Sequence, residues 1–250
     1  MSLISISNEI VSYISKEYNV KINKNKIKEI LTAKLNLPHP GFLKKNFQVS
    51  SPILKKQNLP DDTWIIHNKI SQFKNSTSEL SNFNILWSLK PIEKEPLIIY
   101  GKPVYTPRYV KQYLRDYKFS GIVHKGNQLN ENILGEKFLL DLLKYIKNIS
   151  KKEYNGILVN WYTDGNDYIG YHSDDESELV KDSEIYSITF GATRDFYLKH
   201  KTTNKVYKYK LENNDLIVMG GKCQTYYKHS VPKRLKCNKP RINITFRLYK

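Results

Sequence analysis

The chain has 250 residues, 40% of them hydrophobic, enough for one large domain or for a domain of about 190 residues with a small appendage. Its 41 Lys and Arg against 24 Asp and Glu leave a formal charge of +17, a field that captures polyanions: nucleic acid first, an anionic membrane surface second. No apolar run approaches the ~20 residues of a membrane span. The opening MSLISISNEIVSYISKEY lacks the basic start and apolar core of a signal peptide, and Cys223 and Cys237 form neither a CxxC pair nor a disulfide framework, which points to a reducing, intracellular compartment.

Residues 1–35 carry two helical patterns. Ile10, Val11, Ile14 and Tyr18 fall at helical spacing behind Ser7 as N-cap, and Ile27, Ile30, Leu31 and Leu35 form a second stripe behind Asn23 or Asn25. Residues 1–60 hold ten lysines and three glutamates. This basic helical appendage fits a DNA-gripping pair of helices as well as a hairpin docked on the main domain. Residues 36–60 contain Pro38, Pro40, Pro52 and Pro60 and no clean period, so they read as a linker, with the main domain at 61–250.

Residues 97–125 mix aromatic and basic side chains. Tyr105, Tyr109, Tyr113 and Tyr117 recur every four residues and would line one helical face. That stripe is either core or a surface where rings stack on bases and lysines meet phosphates. Residues 136–149, EKFLLDLLKYIKNI, predict the best helix of the chain, with Phe138, Leu142, Tyr145, Ile146 and Ile149 on its buried stripe. From about 155 the period changes to two. The runs GILVNWY, YSITFGA, DFYLKH, VYKYKL, DLIVMG, TYYKHSV and RINITFRLY, separated by Asp, Asn and Gly turns, predict an antiparallel sandwich or barrel.

The stretch GYHSDDE carries His172-x-Asp174. On a strand, residues i and i+2 share a face, so imidazole and carboxylate can converge on one point. His229, in a strand-like run after Gly220-Gly221, is the most suggestive third ligand. Two histidines and one carboxylate on one side of a metal leave open positions, as in non-haem Fe(II) oxygenases. The bland alternative is a solvated acidic loop. The last strand alternates strictly: Arg241, Asn243, Thr245 and Arg247 share one face, and Ile242, Ile244, Phe246 and Leu248 the other. Its polar face is either the solvent side of an edge strand or the wall of a cavity for a dianion such as 2-oxoglutarate, since guanidinium groups bind carboxylates bidentately. Asn160 and Tyr162 alternate on one face as well and can donate further hydrogen bonds.

Taken in order, NWYTDG from Asn160, GYHSDDE from Gly170, SITFGATRDF from Ser187, HSVP from His229 and PRINITFR from Pro240 resemble the AlkB family of Fe(II)- and 2-oxoglutarate-dependent dioxygenases, over about residues 90–250. They resemble most the animal-type members that repair alkylated DNA. The resemblance implies an α+β, mainly β fold: a double-stranded β-helix (jelly-roll) core at about 155–250, preceded by supporting helices and a nucleotide-recognition lid at about 97–125. It implies Fe(II) on His172, Asp174 and His229. It implies 2-oxoglutarate held by Arg241 with Asn160 and Tyr162, the pocket completed by Asn243, Thr245 and Arg247, and O2 as co-substrate.

The implied reaction is oxidative demethylation of 1-methyladenine and 3-methylcytosine in duplex or single-stranded DNA, releasing formaldehyde, succinate and CO2. RNA or protein is the alternative substrate, and a non-catalytic nucleic-acid-binding module the alternative class. A monomer without membrane attachment is expected. In the lid, Tyr117, Phe119 and Ser120 resemble the segment that stacks on a flipped base, and Tyr100, with Gly101 and Lys102, lies where related enzymes fill the gap in the duplex. Asp175 and Glu176 are candidates for sensing a cationic base. Arg108, Lys199, His200, Lys201, Lys233, Arg234 and Lys236 are candidate phosphate contacts. Tyr171 and Ser173 depart from the charged residues of the relatives, and Arg194 and Asp195 need only a structural role.

Overall fold

The computed structural model describes residues 55–70, 79–99, 102–119 and 122–250. The helices expected in 1–35 and most of the linker lie outside the described residues. Fifteen strands are described: β1 (Lys56–Leu59), β2 (Thr63–Lys69), β3 (Pro96–Ile99), β4 (Lys102–Tyr105), β5 (Tyr109–Tyr113), β6 (Tyr117–Phe119), β7 (Ile122–His124), β8 (Gly156–Tyr162), β9 (Ile169–His172), β10 (Ile185–Gly191), β11 (Arg194–His200), β12 (Val206–Leu211), β13 (Asp215–Gly221), β14 (Tyr227–Val231) and β15 (Arg241–Arg247). The helices are α1 (Glu79–Trp87), α2 (Leu134–Ser150) and the single turn α3 (Cys223–Tyr226). No helix among the described residues is long and apolar enough to cross a membrane.

Two antiparallel sheets make the jelly roll. The larger runs β1-β2-β13-β10-β15-β8-β5 and the smaller β12-β11-β14-β9. Alternation along the strands of the larger sheet splits its side chains into two layers. Ile66, Val159, Trp161, Ile188, Val218, Ile242, Ile244 and Phe246 pack against Leu86 of α1 and Leu139, Leu142, Tyr145 and Ile146 of α2. Ile65, Tyr162, Ile185, Ile217 and Met219 face the other way and meet Phe196, Leu198, Leu211, Tyr227 and Val231 of the smaller sheet and its neighbours. The Trp161 indole N–H donates to the Leu86 carbonyl at 3.0 Å, which ties α1 to the sheet. α2 ends where Lys151 turns left-handed (φ 59°) and its N–H bonds the Lys147 carbonyl.

Three sequence expectations change. β1 pairs with β2 in register Lys56↔Ile66, so the sheet begins inside the segment read as a linker. The tyrosine stripe is not helical: Tyr105, Tyr109, Tyr113 and Tyr117 lie on β4, β5 and β6. A spacing of four is two strand repeats as well as about one helical turn, so it does not discriminate; Tyr109 and Tyr113 share one face of β5 and pack on the helical layer. The run TYYKHSV splits, with Thr225 and Tyr226 in α3 and the strand starting at Tyr227.

β15 sits between β10 and β8, in register Asn243↔Thr189 and Asn243↔Asn160. It is therefore an interior strand, and its polar face cannot be a solvent edge. Gly191, at the end of β10, has φ +86°, and a Cβ there would strike Phe83 and the Pro240 carbonyl, so the turn into β11 needs glycine.

Candidate active site

His172 ends β9, His229 is the middle residue of β14, and the two are direct cross-strand partners. The register shifts between His229 and Val231, so Ile169 pairs with Val231 across a bulge and Tyr171 is turned outward. The imidazoles lie with centroids 4.1 Å apart. Both Nε2 atoms face Asp174, His172 at 3.8 Å from Oδ1 and His229 at 3.9 Å from Oδ2. One ligand atom from each residue lies within 4.8 Å of the other two. His172 Nδ1 donates to the Gly170 carbonyl at 2.9 Å, which leaves the Nε2 lone pair toward the cluster. His229 is held by packing instead, stacked on Phe196 at 5.6 Å and 25°.

Asp174 is buried. Its backbone N–H donates to Gln224 Oε1 at 2.9 Å, and Arg247 Nη2 donates to its Oδ1 at 2.5 Å. The preceding Ser173 hydroxyl donates to the Tyr227 carbonyl at 2.9 Å, pinning the loop to β14. Burial pulls His229 down to about 3, helped by the His172 and Arg247 charges, and burial lowers His172 as well. Burial opposes ionisation of Asp174, but Arg247, the two histidines and Arg108 outweigh it and hold the carboxyl below its usual range. Two neutral imidazoles facing one carboxylate are the protonation states a divalent cation requires. The donor set fits iron(II) with positions left open.

The polar face of β15 continues away from this cluster. Arg241 is buried, and its Nη2 donates to Thr189 Oγ1 at 2.9 Å and to Asn243 Oδ1 at 3.0 Å. Its Nε and Nη1 are buried without a hydrogen-bond partner. The Tyr162 ring lies 5.1 Å from its guanidinium carbon. Burial draws Arg241 down to about 10. A buried guanidinium with two unmet donors is costly alone and is satisfied by a carboxylate. That geometry fits the 2-oxoglutarate expected there. Asn243 Oδ1 also accepts from Ser187 at 3.0 Å, and its amide donates to Thr245 Oγ1 at 3.1 Å. Ser187 and Thr189 carried no assignment from sequence; their signal was the polar i, i+2 alternation inside YSITFGA. Gln224 and Phe196 were missed for a different reason, since only folding brings them to Asp174 and His229.

The remaining candidates divide. Arg108 is not a surface phosphate contact: it is buried and donates to Asn160 Oδ1 at 2.6 Å, inside the polar layer. His200 is also buried, bonded to Asp61 Oδ2 at 2.7 Å while Nδ1 accepts from the Thr202 and Thr203 amides, so a turn consumes it rather than a phosphate. Lys199 lies over the Tyr171 ring at 5.6 Å, and Lys233 over Tyr168 at 4.9 Å. Lys201 reaches Asp175 at 3.7 Å, Arg234 reaches Asp195 at 3.3 Å, and Lys236 is exposed. Asp175 is exposed, whereas Glu176 Oε1 lies 3.9 Å from Arg247 Nη1. Arg194 donates to the carbonyls of Asp164, Asp167 and Pro232 and so clamps two loops together. Lys102 is exposed on β4, and the backbones of Tyr117 and Phe119 form β6 paired with β7. Tyr100, Gly101 and Ser120 lie outside the described residues.

Residues 91–247 match the family described as the 2OG-Fe(II) oxygenase superfamily. The chain is 34% identical over 143 residues to "DNA oxidative demethylase ALKBH2" of Bos taurus, covering 52% of this chain and 48% of that protein. It is 34% identical over 185 residues to the protein of the same name from Arabidopsis thaliana, covering 63% and 58%. To "Alpha-ketoglutarate-dependent dioxygenase alkB homolog 3" of Mus musculus it is 36% identical over 118 residues, covering 44% and 41%. The chain spans about half the length of the curated relatives it matches.

Proposed function

The chain belongs to the 2OG-Fe(II) oxygenase superfamily, and from that premise we propose that it is an oxidative demethylase that repairs N-alkylated bases in DNA, 1-methyladenine and 3-methylcytosine among them. The observation that carries the reading is the His172, Asp174 and His229 cluster at the smaller sheet together with the buried Arg241 on β15 of the larger one. When bound, iron and 2-oxoglutarate supply, with O2, the oxidising power that no protein side chain has.

The chain's own residues hold and orient. His172 and His229 offer lone pairs because burial keeps them neutral. Arg247 keeps Asp174 ionised and aimed at both imidazoles. Arg241 offers its charge and an unpartnered N–H to the distal carboxylate of 2-oxoglutarate, and Asn160 and Tyr162 stand beside Asn243 and Arg241 on the neighbouring strand. The apolar cluster around Ile185, Leu198 and Tyr227 closes the sandwich beside these residues and keeps water from them. Asp175 and Glu176 follow the ligand directly, and although Lys201 and Arg247 lie 3.7 and 3.9 Å from them, they are the acids placed to favour a cationic base. Both expected lesions are cationic and have a blocked pairing edge, which lowers the cost of flipping them out of a duplex. By the resemblance, Phe119 is the candidate platform for the flipped base and Tyr100 the candidate to fill the gap it leaves.

The test is a panel of duplex DNA, single-stranded DNA and RNA carrying the same 1-methyladenine or 3-methylcytosine, read by formaldehyde release with Fe(II) and 2-oxoglutarate present. The reading predicts release from DNA. Release from RNA alone would move the substrate to RNA, and release from none of them would end the reading.

A further inference from the structure

The outer face of the four-stranded sheet carries a surface separate from the metal site. Alternation sends His172, Phe196, Leu198 and His229 inward, and the same strands send Tyr171, Tyr197, Lys199 and Lys228 outward. β12 adds the exposed Lys208. Lys199 stands directly opposite Lys228, and Tyr197 opposite Lys208. Lys199 Nζ lies 5.6 Å from the Tyr171 ring and Lys208 Nζ 5.5 Å from the Tyr197 ring. Like charges directly opposite on neighbouring strands destabilise a sheet. Among the described residues, none of Lys199, Lys208 and Lys228 forms an ion pair with a carboxylate. The acids at the margin are engaged elsewhere, Asp195 with Arg234 and Asp175 with Lys201. Uncompensated lysines interleaved with tyrosine rings on an open sheet face suit the phosphates and bases of an unpaired strand.

We propose that this face is a docking track for single-stranded nucleic acid. It holds the flank of the strand whose methylated base enters the metal site. Tyr171 and His172 are consecutive residues on the edge strand β9, one outward and one inward. A strand whose base reaches His172 therefore continues past Tyr171 across Lys228, Lys199 and Lys208, in the order of their strands. The inference rests on the reading of the chain as a nucleic-acid demethylase.

The test compares the full chain with the Lys208→Gln/Lys228→Gln variant. Binding of an unmethylated oligothymidylate is followed by fluorescence anisotropy across a salt series, beside turnover of a 1-methyladenine trinucleotide too short to reach the track. Each phosphate that a lysine no longer neutralises lowers the slope of log K against log salt by about 0.7 for single strands, so the double variant's slope falls by about 1.4 and that of Lys228→Gln alone by about 0.7. Trinucleotide turnover stays at the wild-type level. An unchanged slope overturns the proposal. So does a loss confined to phosphatidylserine vesicles, which would assign the face to a membrane surface. If wild type releases no formaldehyde from any methylated oligonucleotide, long or short, the demethylase reading fails, while the salt slope still decides the track.

Discussion

Replacing Arg241 by methionine keeps its length and removes its charge and donors. In the folded protein Arg241 spends Nη2 on Thr189 and Asn243 and keeps Nε and Nη1 unmet. The two donors lie on different edges of the guanidinium, and either can take a carboxylate oxygen as a charge-assisted hydrogen bond. Truncating one side of a buried, hydrogen-bonded charge pair costs about 2–5 kcal/mol. At about 1.4 kcal/mol per tenfold, 2-oxoglutarate binding weakens from roughly 30-fold to a few thousand-fold. Arg241→Lys keeps the charge but loses the fork and falls between the two. The assay is calorimetric titration of 2-oxoglutarate into Mn(II)-loaded protein, with the melting temperature and Mn(II) affinity recorded for each variant. Mn(II) affinity stays near wild type, because the arginine that touches Asp174 is Arg247, at the other end of β15. Wild-type affinity for 2-oxoglutarate in a folded Arg241→Met variant would refute the assignment.

Thr189→Val removes the hydroxyl that holds Arg241 Nη2 and weakens 2-oxoglutarate binding by less, on the order of tenfold for a charged hydrogen bond of about 1.5 kcal/mol, in the same titration. Gln224→Leu strips the acceptor from the Asp174 amide, and Mn(II) affinity by equilibrium dialysis falls about 10- to 100-fold, as for other groups that support a ligand. In metal-free protein His229 titrates near 3 folded and near its ordinary 6.5 unfolded. The unfolded chain therefore binds the extra proton between those values, and stability present above about pH 6.5 is lost as pH falls toward 3, by up to about 1.4 kcal/mol per unit. Urea denaturation at several pH values reads this, and His229→Phe flattens its share of the slope. Leu142→Ala empties a fully buried position between α2 and the larger sheet and costs about 2–5 kcal/mol in the same experiment, while metal affinity is retained.

Apart from β9, the strands from Gly156 onward are legible because they bury one face, or both, and repeat with period two. The faces of β15 are legible for the same reason. Whether Arg241 and Arg247 point to solvent or to an interior was not, because strand neighbours are set by pairings across tens of residues. β10 and β8 on either side of β15 decide it. Arg108 looked like a surface cation until Asn160, 52 residues away, accepted its hydrogen bond. His200 looked the same until Asp61, 139 residues away, closed on it. β9 is four residues long and bulged, too short for any periodicity to register, yet it supplies the first metal ligand.

The most direct measurement is the time course of 1-methyladenine loss from a DNA oligonucleotide, followed by mass spectrometry with Fe(II) and 2-oxoglutarate, for wild type and Asp174→Ala. The account predicts that wild type converts the lesion to adenine and that Asp174→Ala leaves it intact while still binding the oligonucleotide. Persistence of 1-methyladenine with wild type, or conversion by Asp174→Ala at the wild-type rate, would contradict it.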